Sequence, residues 1–119
     1  MANNQAEGSD GIKESDIVAE TKVIFIRASD GERLFVRLGI GRPFFIANDL
    51  CSYCYIFMDG HLKPLKVSGT DSLQALCLAV QFLRKQLETV RKMGWTILED
   101  DPSSETAETF DIDACFGRK

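Results

Sequence analysis

Apolar and polar residues alternate along the first part of the chain, as they do in half-buried β-strands. Residues 17–29 are rich in β-branched side chains, and residues 32–39 carry leucine or valine at every second position. Asp30 and Gly31, between these runs, form a strong hairpin signal. The pattern therefore predicts two antiparallel strands joined by a tight turn.

A two-residue loop would determine which side chains share a face of this hairpin. It places Phe25 opposite Val36 on the side expected to face the core, and Ile24 opposite Arg37 on the other side. The second side mixes apolar and basic residues, which is unusual for a purely solvated surface. We therefore take its members as candidate interaction residues: Ile24, Ile26, Arg33, Phe35 and Arg37.

Further strands are predicted downstream. Residues 39–44, GIGRPF, should interrupt the sheet, because two glycines and Pro43 do not suit a central strand. A third strand is expected over residues 50–59 and a fourth over 62–67, where Pro64 indicates an edge. Residues 95–98, WTIL, predict a last strand.

One long helix is predicted from Ser72 to Met93. Apolar residues recur there at three- and four-residue spacing, and Gly94 stands where a helix commonly ends. Its apolar surface is wide, so we expect it to be buried across a sheet. The sequence thus predicts an α+β fold, an antiparallel sheet of about four to five strands packed against one long α-helix.

The domain organisation follows from where this pattern begins and ends. Residues 1–15 are polar and expected to be flexible, residues 16–98 form a single α+β domain, and residues 99–119 form an acidic C-terminal segment. In that segment, residues 110–116 alternate as in a short added strand. This strand would pair with a sheet edge or cover the mixed apolar and basic face.

Charge and cysteine content indicate where in the cell the chain is expected and which partners it is not expected to bind. The net charge is −4, and residues 99–113 hold seven acids and no base, so strong phosphate or nucleic-acid binding is not expected. No secretory or membrane-spanning pattern is present, which favours the cytoplasm. The four cysteines are then expected to stay reduced, with Cys54 and Cys77 buried.

The stretch GTDSLQAL, at the start of the helix, is the first candidate for chemistry. Its Asp-Ser-Leu resembles the site where acyl and peptidyl carrier proteins hold phosphopantetheine, which would make Ser72 the modified serine. However, carriers are helical bundles, and everything upstream here is predicted as strand and turn. Asp71 as a helix N-cap, with Gln74 three residues later, explains the motif structurally.

Cysteine and histidine give the second candidate. Cys51 and Cys54 have the spacing of zinc knuckles and redox motifs, but they provide only two of four zinc ligands. On a strand they would point to opposite faces. His61 is the only histidine and sits in a turn signal. We predict no catalytic, cofactor or metal residues and no cofactor.

The helix start GTDSLQALCLAVQFLRKQL, together with GRPF and the cysteine-containing strand, resembles an uncharacterised family of small bacterial proteins. In that family a Gly-x-Asp-Ser-Leu-Gln-Ala-Leu helix start follows several strands. The resemblance covers about residues 17–98. It implies a compact α+β domain and implies no activity.

These observations favour a non-enzymatic protein-binding module of unknown pathway, either homodimeric or similar to immunity proteins that bind a basic toxin. Its expected partner is a protein or a second copy of the chain, with no nucleic acid and no membrane. The alternatives are a carrier-like protein modified on Ser72, or a small enzyme or zinc-binding protein using Cys51 and Cys54.

Overall fold

The computed structural model describes residues 16–100 and 108–117. Residues 1–15, expected to be flexible, lie outside the described residues, as does part of the acidic segment. The elements in chain order are β1 (Ile17–Arg27), β2 (Arg33–Gly41), β3 (Phe44–Ile46), β4 (Cys51–Asp59), β5 (Leu62–Gly69), α1 (Ser72–Lys92), β6 (Trp95–Glu99) and α2 (Ile112–Phe116).

The strands form one antiparallel sheet. β1 pairs with β2 and with β6, while β4 pairs with β2, β3 and β5. β2 and β3 pair with successive parts of β4, so β3 continues the line of β2 after the interruption at Arg42 and Pro43. The predicted α+β fold is confirmed, with six strands because this short continuation pairs as well.

The core lies between the sheet and α1. Val23 and Phe25 of β1 are fully buried, as are Ala79 and Leu87 of α1. α1 contacts β4, β5 and β6, so it lies across the sheet as its apolar width predicts. We call this helix-bearing side of the sheet the covered face.

Small residues determine which side of α1 meets the sheet. Ala75 and Ala79 are completely buried, whereas Leu73 is 69% exposed. Cys77, which was expected to be buried, is exposed. The helix is rotated relative to the predicted stripe because alanines allow its backbone to approach the strands closely, and its buried positions are Ala75, Ala79, Leu83, Leu87 and Val90.

The β1–β2 hairpin pairs two residues away from the predicted register. Phe25 lies opposite Leu34, and Ile24 lies opposite Phe35. The connection is longer than two residues because the Asp30 carboxylate accepts hydrogen bonds from Arg27 and from the Glu32 backbone N–H. An even shift keeps every side chain on its predicted face, although it changes each partner.

Two glycines expected to break the sheet instead lie inside β2. Gly39 and Gly41 are buried, and Gly39 pairs with Phe57 of β4. A Cβ on Gly41 would lie 3.5 Å from the Phe57 ring and 3.5 Å from the Tyr55 Cβ. Side chains of β4 therefore fill the space beside Gly41, whereas the Ala19 carbonyl oxygen of β1 lies 3.3 Å from the position of a Cβ on Gly39.

The C-terminal segment folds back on the core. Phe110 and Ile112 are buried, and the Phe110 N–H donates to the Ile97 carbonyl oxygen of β6. Instead of the expected strand, the chain makes a single bridge at Thr109 and then α2. Residues four apart share a face in a helix as well as in a strand, so the spacing of Ile112 and Phe116 fits both.

Candidate interaction face

The side of the sheet opposite α1 is the candidate functional surface, and we call it the open face. It carries alternate residues of each strand, beginning with Lys22, Ile24 and Ile26 of β1. Neither helix of residues 16–100 and 108–117 packs on it, because α1 contributes to the core and α2 contacts α1. All five predicted interaction residues lie there: Ile24, Ile26, Arg33, Phe35 and Arg37.

Phe35 and Ile24 form the apolar centre of this surface. They are directly opposite each other in the hairpin, and Ile24 also lies opposite Leu98 of β6. Ile24 is only 7% exposed although no helix covers it, whereas Phe35 is 63% exposed. Neighbouring side chains of the same face thus bury the isoleucine and leave the aromatic ring in solvent.

Charged side chains border this centre. The Arg37 guanidinium lies between two carboxylates, with Nε 3.6 Å from Glu20 and Nη2 3.8 Å from Asp59. Lys22 lies opposite Arg37 in the hairpin. An open depression of about 470 Å³ beside Phe35 is bordered by Lys22, Arg37, Asp59 and Asp100. The border therefore has charges of both signs.

A second part of the open face is aromatic. Phe44 of β3 lies directly opposite Tyr53 of β4, with ring centroids 5.8 Å apart. The Phe44 ring also stacks on Tyr55 at 5.7 Å, with an angle of 18° between the planes. The Lys66 ammonium lies 4.4 Å from the centre of the Tyr53 ring, within cation–π range. We call Phe44, Tyr53 and Tyr55 the aromatic group.

Hydrogen bonding holds the Tyr53 side chain in place. Its hydroxyl donates to Oδ2 of Asp49 at 2.7 Å. Bonding to Cys51 and to Asp49 raises the pKa of Tyr53 above its ordinary value, so the phenol stays neutral. The ring is therefore fixed as an uncharged contact surface.

The aromatic group was missed in the sequence. The signal was present, because Tyr53, Tyr55 and Phe57 stand at every second position of a predicted strand and must share one face. Their partner Phe44 was assigned to the interruption GIGRPF, which concealed the cluster. Pairing of β3 with β4 brings these residues together.

The C-terminal segment does not cover the open face. Its buried residues Phe110 and Ile112 belong to the same core cluster as Val23 and Leu87. Arg84 of α1, on the helix side, bonds to Asp113 and to the Gly117 carbonyl oxygen. The alternative in which residues 110–116 cover the mixed face is therefore wrong for the described part of this segment.

Ser72 occupies the first position of α1 and is exposed. Asp71 caps the helix by accepting a bond from the Gln74 N–H at 2.8 Å. The Gln74 side chain in turn accepts from the Thr70 N–H at 2.7 Å, one residue before the expected position. These reciprocal bonds give the Asp-Ser-Leu motif a complete structural role, in a chain where five strands precede the helix.

Cys51, Cys54 and His61 do not converge. Cys54 is fully buried on the covered face, its thiol donates to the Gly41 carbonyl oxygen, and burial raises its pKa to about 11. Cys51 faces the other way, as predicted. His61 lies in the turn after β4, roughly 25 Å along the strand from Cys51, and contacts the Phe25 ring edge-on.

The described residues contain no group of three or more histidine, cysteine or acidic side chains that could hold a metal ion. What the open face offers is an apolar and aromatic contact surface with a charged border. No family model, curated protein or solved structure matches this chain.

Proposed function

We propose that this chain is a non-enzymatic protein-binding module whose open face binds a second copy of the chain. The observation that carries the proposal is Phe35, which is 63% exposed, beside its cross-strand partner Ile24, which is 7% exposed. An aromatic side chain at the centre of an apolar patch is a typical anchor of protein interfaces. The aromatic group lies further along the same face, beyond the Arg37–Asp59 pair.

Charge complementarity supports a second copy as the partner. The border of the open face combines the bases Lys22 and Arg37 with the acids Asp59 and Asp100. In a two-fold interface each patch meets itself, so a surface with both signs is self-complementary. A module that binds a basic toxin would instead be expected to present a mainly acidic face.

The size of the open face also suits a homodimer. Five strand positions at about 4.8 Å spacing, each about nine residues long, give a projected area of roughly 700 Å². Specific interfaces bury about 800 Å² per partner. The projected area of the open face is therefore close to the area that one partner contributes to such an interface.

We extend the proposal to a cytoplasmic location. The four cysteines are unpaired, which suits a reducing compartment. None of the helices within residues 16–100 and 108–117 is long and apolar enough to span a bilayer.

The direct test is the solution mass of the parent chain and of the variant Phe35→Asp across a range of concentrations. We expect the parent to have twice the chain mass at high concentration. Because the substitution introduces a charge at the centre of the contact, it should raise the dimer dissociation constant by at least roughly 30-fold. Light scattering during size-exclusion chromatography measures both.

Phe45→Asp is the matched control. Phe45 is 60% exposed, almost as much as Phe35, but it lies opposite Ser52 and belongs to the other side of the sheet. It should leave the dimer unchanged. A parent chain that stays monomeric at every concentration, or equal effects of the two substitutions, would contradict self-association through the open face.

A further inference from the structure

A half-enclosed cavity of about 150 Å³ lies on the covered side of the sheet, beneath the C-terminal segment. Leu38 and Ile40 of β2 form part of its floor, and Leu83 of α1 forms one wall. Phe110 and Phe116 complete it from the C-terminal segment. The cavity is separate from the open face and has no role in the function proposed above.

The wall of this cavity is almost entirely apolar. Leu38, Leu83 and Phe110 are each less than 10% exposed, and they present only carbon atoms. Glu20 also lines the cavity, but its carboxylate lies beside Arg37 on the open face. A bound water needs two to four polar partners, so an apolar cavity of this size favours a small apolar molecule over water.

We propose that this cavity binds a small uncharged apolar molecule, about the size of a benzene ring. The C-terminal segment forms part of its wall and is attached to α1 where Arg84 bonds to Asp113 and Gly117. Because Phe110 and Phe116 would contact the bound molecule, its binding stabilises the docked segment.

The test is a benzene titration of the isotope-labelled protein followed by NMR. Saturable amide shifts are expected at Leu83, Phe110 and Phe116, with a rise in melting temperature as benzene binds the folded state. Absence of saturable shifts at these positions up to the solubility of benzene overturns the proposal. Shifts confined to Phe35 and Tyr55 of the open face overturn it as well.

Two substitutions on β1 locate the site. Ala19 is exposed and lines the cavity, so Ala19→Leu should fill it from the rim and abolish the benzene-dependent shifts. Val18 is 52% exposed and does not line it, so Val18→Leu should bind benzene like the parent. Unchanged shifts in a folded Ala19→Leu variant overturn the assignment. If that variant does not fold, the benzene titration of the parent chain alone tests the proposal, through the presence or absence of saturable shifts at Leu83, Phe110 and Phe116.

Discussion

The two faces of the sheet are both rich in apolar side chains, but only the covered face is closed by a second layer. Along β1, Val23 and Phe25 are fully buried beneath α1, while Ile24 between them points to the open face and is still only 7% exposed. The covered face is buried by another element and the open face by its own neighbours. The burial of a single residue therefore does not show whether another layer of structure covers its face of the sheet.

The residue types of the two faces differ in a way that fits this distinction. The core between the covered face and α1 is mostly aliphatic, with alanines on the helix and buried rings such as Phe25, and it packs densely with few polar atoms. The open face combines large aromatic rings with charged groups, such as Arg37 between Glu20 and Asp59. Such side chains tolerate exposure to water in the free chain and can contact a partner that covers them, which suits a surface used for association.

The largest expected effect comes from truncating the same residue type on each face. Phe25→Ala removes a fully buried ring and should lower the free energy of unfolding by about 3–5 kcal/mol. Phe35→Ala removes an exposed ring from one cross-strand pair and should cost roughly 0.2–1 kcal/mol. Urea unfolding followed by circular dichroism, at a concentration where the chain is monomeric, measures both.

Equal losses for the two phenylalanine variants would contradict this distinction between the faces. Protein concentration gives a second check, because association stabilises the folded state by mass action. The parent and the Phe25→Ala variant should become more stable as concentration rises, whereas Phe35→Ala should respond less.

A smaller effect is expected where the start of α1 lies against Gly69 of β5. A Cβ on Gly69 would lie 2.5 Å from the backbone nitrogen of Ala75 and 2.8 Å from its Cα. Gly69→Ala must therefore push the helix start away from β5, and we expect a loss of about 1–3 kcal/mol in unfolding free energy. Urea unfolding of this variant measures the loss.

Ser68→Ala provides the control on the open face, one residue earlier in the same strand. Ser68 is exposed opposite Tyr53, so the change should stay within about 0.5 kcal/mol. A Gly69→Ala variant as stable as Ser68→Ala would mean that the helix is not held against the sheet at this point.

The faces were predictable from sequence because alternation alone determines them, whereas strand partners were not. The two-residue loop assumed for Asp30 and Gly31 gave Ile24 the partner Arg37, but the Asp30 carboxylate closes a longer turn. Side-chain bonds of this kind are not visible in hydrophobic periodicity. The five interaction residues still share one face because the pairing register differs from the predicted one by two residues, an even number.

The aromatic group and the C-terminal segment show a different limit. Phe44 joins Tyr53 only because the chain resumes pairing after Pro43, and a propensity argument marks that stretch as a break. Ile112 and Phe116 are four residues apart, a spacing that helix and strand share. Asp111, which caps α2 by accepting from the Ala114 N–H, was the distinguishing signal.

The smallest effect concerns the cap that starts α1 and so completes the layer over the covered face. Asp71→Ala removes the acceptor for the Gln74 N–H and should lower the free energy of unfolding by about 1 kcal/mol. Ser72→Ala, at the next position, removes an exposed hydroxyl and should change it by less than about 0.5 kcal/mol. Urea unfolding of both variants tests this order, and a greater loss for Ser72→Ala would assign the motif's structural role to the serine instead of Asp71.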